Sequence, residues 1–176
     1  RIPHTVNTDI FTKIPQKDAQ QFIDSNEAFL DKNGNKKFIF FWNNRNARRK
    51  MSGSVLWWFA EWARGVGEDK VLLIMHTEPQ DPNGQDLNAI IAEMNAQDDV
   101  ILSVQKVGMP ELSVLYNVAD CTLNVSDAEG FGLGTLESLA TETPIIVNMT
   151  GGMQEQVTDG KEWFGIGIEP SSKAII

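Results

Sequence analysis

Five strand-length runs recur along this chain: Phe38–Trp42, Val71–Met75, Val100–Val104, Cys121–Val125 and Pro144–Asn148. Helical stretches separate them at about residues 52–64, 86–96, 110–117 and 133–141. The run FIFFW at 38–42 is continuously apolar, as in a strand buried on both faces. In the helix that follows, Val55, Trp58, Phe59 and Trp62 recur at i, i+3, i+4 and i+7, which predicts one buried stripe. Leu87, Ile90, Ile91 and Met94 form the same pattern in the next helix, and Pro110 suits the first turn of the third. A first helix is expected over about 17–31, stopped by Asn33-Gly34-Asn35, with a short helix near 153–158 and a sixth strand over Phe164–Ile168. No Asn-Gly hairpin signal joins adjacent strands, and there is no internal repeat. Strands joined through helices run parallel, with right-handed crossovers. The expected fold is therefore α/β: a Rossmann-like, doubly wound, mainly parallel sheet of about six strands with helices on both faces. Residues 1–16, with Pro3 and the turn-forming Asn7-Thr8-Asp9, read as an entry segment to a domain over 17–176.

Composition narrows the function. A hydrophobic fraction of 41% supplies a core, but no apolar run approaches the roughly 20 residues of a membrane helix. No secretory pattern opens the sequence. The single cysteine, Cys121, excludes an intrachain disulfide framework and a cysteine-rich zinc site, and a cytoplasmic location is expected. The net charge of −9 argues against a nucleic-acid partner. Yet Arg45, Arg48, Arg49 and Lys50 cluster in one loop and can act locally against that charge. His4 and His76 lack partners at metal-ligand spacing, so packing or surface roles are expected and no metal site. The four tryptophans from Trp42 to Trp62 read as core or domain interface rather than a sugar platform; Trp163, after an Asp-Gly-Lys-Glu turn, is ambiguous.

The segment DAEGFGLGTLESLA, residues 127–140, lies where a strand hands over to a helix, the edge at which open α/β sheets bind ligands. Gly130, Gly132 and Gly134 allow close approach of the backbone, and the following helix start offers free amides to a phosphate. A plain strand–helix turn is the other reading. Glu137, a turn inside the helix, can accept both hydroxyls of a ribose diol, or be a solvated helix position. Glu129 can reach a group attached to that phosphate, or be an exposed loop acid. The cations of 43–50 can neutralise a diphosphate, or form a solvated loop. A dehydrogenase is disfavoured, because the turn after the first strand is NNRNARRK rather than a glycine fingerprint.

Glu129 and Glu137 resemble the E-x7-E motif of retaining glycosyltransferases of the GT-B fold, family 4 most of all. IPHTVNTDIF resembles that family's interdomain linker, and FIFFWNNRNARRK its first strand and phosphate loop. The block LSVLYNVADCTLNVSDAEGFGLGTLESLATETPIIVNMTGG resembles its most specific region. The resemblance implies that Glu129 binds the donor sugar, that Gly130, Phe131, Gly132 and Leu133 contact sugar and diphosphate, and that Glu137 holds the ribose. It also implies that Arg45 and Lys50 stabilise the departing diphosphate and that Lys106, Val107 and Gly108 lie against the base. GDP-mannose or a UDP-hexose would be the donor, transferred with retention and with neither metal nor other cofactor. The acceptor-binding domain and last helices would lie outside this chain, leaving a donor-binding half inactive alone.

Two departures stand out. Glu142 occupies the place where the family usually has glycine, so a different helix ending is expected there. The loop 76–85 is longer than the family's short turn. A nucleotide-sugar epimerase of the same fold and a non-catalytic nucleotide-sugar-binding module remain as alternatives.

Overall fold

The computed structural model describes residues 4–170; the remainder of the expected entry segment and domain, 1–3 and 171–176, lies outside them. Six strands form one sheet: β1 (Phe38–Asn43), β2 (Val71–His76), β3 (Val100–Ser103), β4 (Cys121–Asn124), β5 (Ile145–Asn148) and β6 (Ile166–Ile168). Their order is β3-β2-β1-β4-β5-β6, and every neighbouring pair is parallel. The connecting helices are α1 (Gln16–Asp24), α2 (Ser52–Val66), α3 (Leu87–Met94), α4 (Met109–Val118), α5 (Leu133–Ala140) and α6 (Met153–Val157). This is the doubly wound α/β sheet expected from the alternation of apolar runs and helices.

Strand periodicity divides the core in two. Trp42, Leu73 and Met75 point to the face covered by α2 and α3. Ile39, Phe41, Leu72 and Ile74 point to the opposite face, beneath Ile23 of α1 and Tyr116 and Val118 of α4. Both faces of β1 and β2 are thus filled, which is why these strands carry unbroken apolar runs. A third cluster packs Met153 and Val157 of α6 on Ile145 and Val147.

The predicted stripe of α2 is displaced by one position. The buried side chains are Leu56, Phe59, Ala60 and Ala63, whereas Trp58 is 70% exposed and Trp62 47%. Two alanines allow the helix to approach the sheet closely, and indoles at those positions would hold it off. The helix expected over 17–31 is also shorter. Ser25 Oγ and Asn26 Nδ2 both donate to the Phe22 carbonyl, at 2.8 and 2.7 Å, and end α1 ahead of a single 3-10 turn at Glu27–Phe29.

α5 ends with Glu142 in the left-handed region, at φ 57°. The amide of Thr143 donates to the Ser138 carbonyl at 2.9 Å and that of Glu142 to Leu139 at 3.1 Å, the pair of bonds that closes a Schellman motif. The different ending expected at this glutamate is therefore not adopted; the chain takes a glycine-type ending with a strained side chain. Glu142→Gly is expected to stabilise the fold by about 1 kcal/mol, seen as a rise of roughly 2–4 °C in Tm. An unchanged or lower Tm would show that Glu142 is not under strain.

β1 leads to β2 on one side and β4 leads to β5 on the other, so the chain reverses direction across the sheet between β1 and β4. The crevice at the carboxyl ends of these two strands is the switch point at which such sheets bind ligands.

Candidate functional site

A cavity of about 360 Å³ occupies that switch point. Asn43 and Asn44 come from the end of β1 and Asn124 from the end of β4. Asn44 donates to Asn124 Oδ1 at 3.3 Å, and Asn124 donates to Thr135 Oγ1 at 2.9 Å, so the cavity has a hydrogen-bonded polar floor.

One wall is the loop after β1. Asn46 is fully buried, donating to the carbonyls of Pro79 and Gln85 and accepting from Ser52 Oγ and the Gln85 amide. It ties the basic loop to the long loop after β2 and to the start of α2. Asn46→Ala would leave several buried groups unpaired and is expected to cost about 2–4 kcal/mol of stability, read as a lower denaturation midpoint. A midpoint equal to that of the unmodified chain would show that the loops hold without it.

Beyond Asn46, a 3-10 turn at Arg48–Lys50 ends in Met51 at φ 53°, and Lys50 is buried against the opposing loop. Its ammonium forms an ion pair with Glu129 Oε2, and both side chains are about nine-tenths buried. Arg49 donates to the Ala128 carbonyl at 3.1 Å and lies 3.5 Å from the same carboxylate oxygen. The Asp127 amide donates to the Arg49 carbonyl at 2.8 Å, which fastens the two loops together.

The other wall is the glycine segment and the start of α5. Gly132, at φ 84°, occupies the position before the helix. The Gly151-Gly152 turn after β5 lies directly beneath the segment: a Cβ on Gly151 would fall 1.6 Å from the Glu129 carbonyl oxygen, and the Gly152 amide donates to Gly130 at 2.9 Å. The backbone at Glu129 is thus held by an adjoining loop that only glycine can form. Glu137 lies one turn inside α5 and accepts from Tyr116 Oη at 2.7 Å. Burial raises its pKa, and the tyrosine hydrogen bond partly opposes that rise.

The structure therefore brings together Lys50, Glu129, Phe131, Gly132, Leu133 and Glu137 on the walls of one cavity, with the exposed Gly130 on the same segment. Arg45 is directed elsewhere. It forms a two-point ion pair with Asp81, at 2.7 and 3.2 Å, and that hydrogen-bonded pairing draws the Asp81 pKa down to about 2. Lys106, Val107 and Gly108 form the exposed β3–α4 connection, with Gly108 capping α4, and do not line the cavity. His4, expected to be a packing or surface residue, contributes to the cavity rim with its ring 4.9 Å from that of Phe131. Asn43, Asn124 and Tyr116 were not singled out by sequence reasoning; a polar residue closing each of two apolar runs was the available signal for the asparagines. Among the described residues no group of three or more His, Cys, Asp or Glu side chains is placed to hold a metal ion, and no helix is long and apolar enough to cross a membrane.

A second cavity of about 420 Å³ lies beside α2, walled by Phe40, Val55, Trp58, Trp62 and Leu123. Its lining is apolar apart from Ser54 and includes no cationic side chain. The switch-point cavity, by contrast, is lined by Lys50, Glu129 and Glu137.

A doubly wound sheet with a helix start, a basic loop and two carboxylates around a cavity at its switch point defines the class as a Rossmann-like α/β domain. The family model for glycosyl transferases group 1 matches residues 22–175, and the chain belongs to that family. D-inositol 3-phosphate glycosyltransferase of Arthrobacter sp. (strain FB24) is 34% identical over 76 residues, covering 43% of this chain and 18% of that protein. The chain thus spans less than a fifth of that relative's length in the match. Among solved structures, the C-terminal domain of a glycosyl transferase group 1 family protein (LpcC) of Francisella tularensis superposes with a TM-score of 0.72 at 19% identity. The match covers 96% of this chain and 82% of that one. HepE of Anabaena, in complex with UDP, superposes with a TM-score of 0.71 at 17% identity, over 94% of this chain and 42% of its own. At these identities the superpositions establish a common fold, that of one half of a GT-B glycosyltransferase.

Proposed function

We propose that this chain is the donor-binding domain of a retaining glycosyltransferase, and that the switch-point cavity holds a nucleoside-diphosphate sugar. The observation that carries this reading is the placement of the Lys50–Glu129 pair and Glu137 on the walls of one cavity at the start of α5. The similarity to HepE, whose structure contains UDP, supports the ligand class.

In this reading the diphosphate lies between Lys50, Arg49 and the first amides of α5, the ribose diol against Glu137, and the sugar beside Glu129 and Phe131. Lys106–Gly108 borders the base, and Arg45 turns from Asp81 to the phosphates when ligand binds. During transfer the bond from the anomeric carbon to the diphosphate oxygen breaks, and an acceptor hydroxyl bonds to the same face of that carbon. The acceptor proton passes to the departing diphosphate. Negative charge grows on that leaving group, and fixed cations and helix amides aimed at it lower the barrier without a metal ion or other cofactor. The acceptor would be bound by a further domain of the full-length enzyme, in the cytoplasm.

Calorimetric titration with GDP, GDP-mannose, UDP, UDP-glucose and UDP-N-acetylglucosamine, without metal, tests the proposal. One base series is expected to bind, and Glu137→Ala to weaken it. Binding that is absent from both series would contradict the donor-site assignment. Conversion of free nucleotide sugar to its epimer by the full-length protein, with no acceptor present, would indicate an epimerase instead.

A further inference from the structure

Glu137 does not stand alone in the cavity wall. Tyr116, in the last turns of α4, is fully buried, and its ring meets Phe41 edge-on at 5.0 Å and Phe11 at 6.1 Å. Its hydroxyl emerges between α5 and the end of β1, where two polar partners await it. Asn43 Nδ2 donates to Oη at 3.1 Å, so the hydroxyl's own proton is directed to Glu137 Oε2 at 2.7 Å. Burial, reinforced by the Glu137 charge, raises the tyrosine pKa well above its ordinary value, so the hydroxyl remains a donor at neutral pH. The path depends on Gly134, one turn before Glu137: a Cβ there would lie 3.2 Å from Oη and 3.6 Å from the Asn43 carbonyl.

We propose that Tyr116 is a positioning residue, whose hydroxyl fixes Oε2 of Glu137 and thereby presents Oε1 to the ribose of the bound nucleotide. This rests on the donor-site reading of the cavity. A glutamate on a helix ordinarily samples many rotamers, and ordering it when ligand arrives opposes binding. Here one oxygen is already held by an aromatic side chain that is itself immobilised in the core. Among the described residues no hydrogen bond engages Oε1, and Glu137 borders the cavity. Asn43 has two functions in this arrangement: it lines the cavity and it orients the hydroxyl.

The test compares Tyr116→Phe with the unmodified protein against four probes: UDP, 2′-deoxy-UDP, GDP and 2′-deoxy-GDP. The unmodified protein is expected to prefer the ribose form of the base it binds. Tyr116→Phe is expected to lose about three- to tenfold in affinity for that ribose form. It should lose much less for the deoxy form, so that the preference shrinks. A purely structural tyrosine would weaken both forms equally, and an unchanged ribose-to-deoxyribose ratio in the variant would overturn the proposal. Equal binding of the two forms by the unmodified protein would instead overturn the assignment of Glu137 to ribose, and binding of no probe would overturn the donor site itself. Should Tyr116→Phe fold poorly, Gly134→Ala crowds the same hydroxyl while keeping the tyrosine; Gly134 also lines the cavity, so both forms are expected to weaken, and the loss of the ribose-to-deoxyribose ratio is the readout.

Discussion

Lys50→Ala is expected to weaken binding of the cognate nucleoside diphosphate by about 10- to 100-fold, the equivalent of one charge-assisted hydrogen bond. Lys50 is buried, and an ammonium is desolvated in a fold only when an anion compensates it. Glu129 supplies that anion. On the proposed reading an entering diphosphate brings further negative charge, and Lys50 is the cation that both anions would share. Its removal leaves Arg49 as the remaining cation beside the Glu129 carboxylate, so on the proposed reading repulsion between Glu129 and the diphosphate adds to the lost attraction. Removing one member of a buried pair can also cost about 3–5 kcal/mol of fold stability, reduced here because Arg49 still reaches the carboxylate. Glu129→Gln should act in the opposite sense on binding. It releases Lys50 and Arg49, so a nucleoside diphosphate lacking sugar should bind at least as tightly, while transfer by the full-length enzyme falls. Calorimetry at one fixed ionic strength checks both, since exposed charges such as Arg49 are screened by salt. A Lys50→Ala protein that bound the nucleoside diphosphate as tightly as the unmodified chain would refute the phosphate-loop assignment.

The order of strands and helices was legible because a parallel sheet buries its central strands on both sides. FIFFW and VLLIM are direct records of that burial, and β1 and β2 each extend only one residue beyond them. The face of α2 was harder to read, because registers one residue apart share Phe59 and the more hydrophobic one lost to the register with small residues. The ending of α5 depends on how much strain the chain tolerates at Glu142, which residue type alone does not decide. At the site, Glu129 and Glu137 were legible because eight positions across a loop and a helix start form a local pattern. Tyr116 and Asn43 were not, since their meeting depends on packing between residues 73 positions apart. The pairing of Arg45 with Asp81 depends likewise on a loop conformation that Asn46 holds, 36 positions from one partner to the other. Local placement was readable; contacts created by layering one element on another were not.

Glu137→Gln should make the protein more stable and less able to bind nucleotide. Burial raises the carboxyl pKa of Glu137 above its unfolded value, and the Tyr116 bond offsets only part of that rise. An acid whose folded pKa is raised contributes stability below its unfolded pKa, and that contribution is lost as pH rises through the folded pKa. At neutral pH the ionised carboxylate is therefore a burden on the fold. Glutamine keeps a carbonyl acceptor for the Tyr116 hydroxyl and carries no charge, so Tm at pH 7 should rise above that of the unmodified chain. The advantage should vanish on acidification below the unfolded pKa, where Glu137 is protonated in both states. Binding should move the other way. Two ribose hydroxyls donate well to a carboxylate, whereas an amide offers one acceptor and turns two donors toward them. A loss of about tenfold or more in nucleotide affinity is expected from the weakened pair of charge-assisted bonds. A lower Tm at pH 7, or an advantage that persists at acid pH, would show that the buried charge is compensated by something other than Tyr116. The opposed signs distinguish a carboxylate kept for its ligand from one kept for the fold.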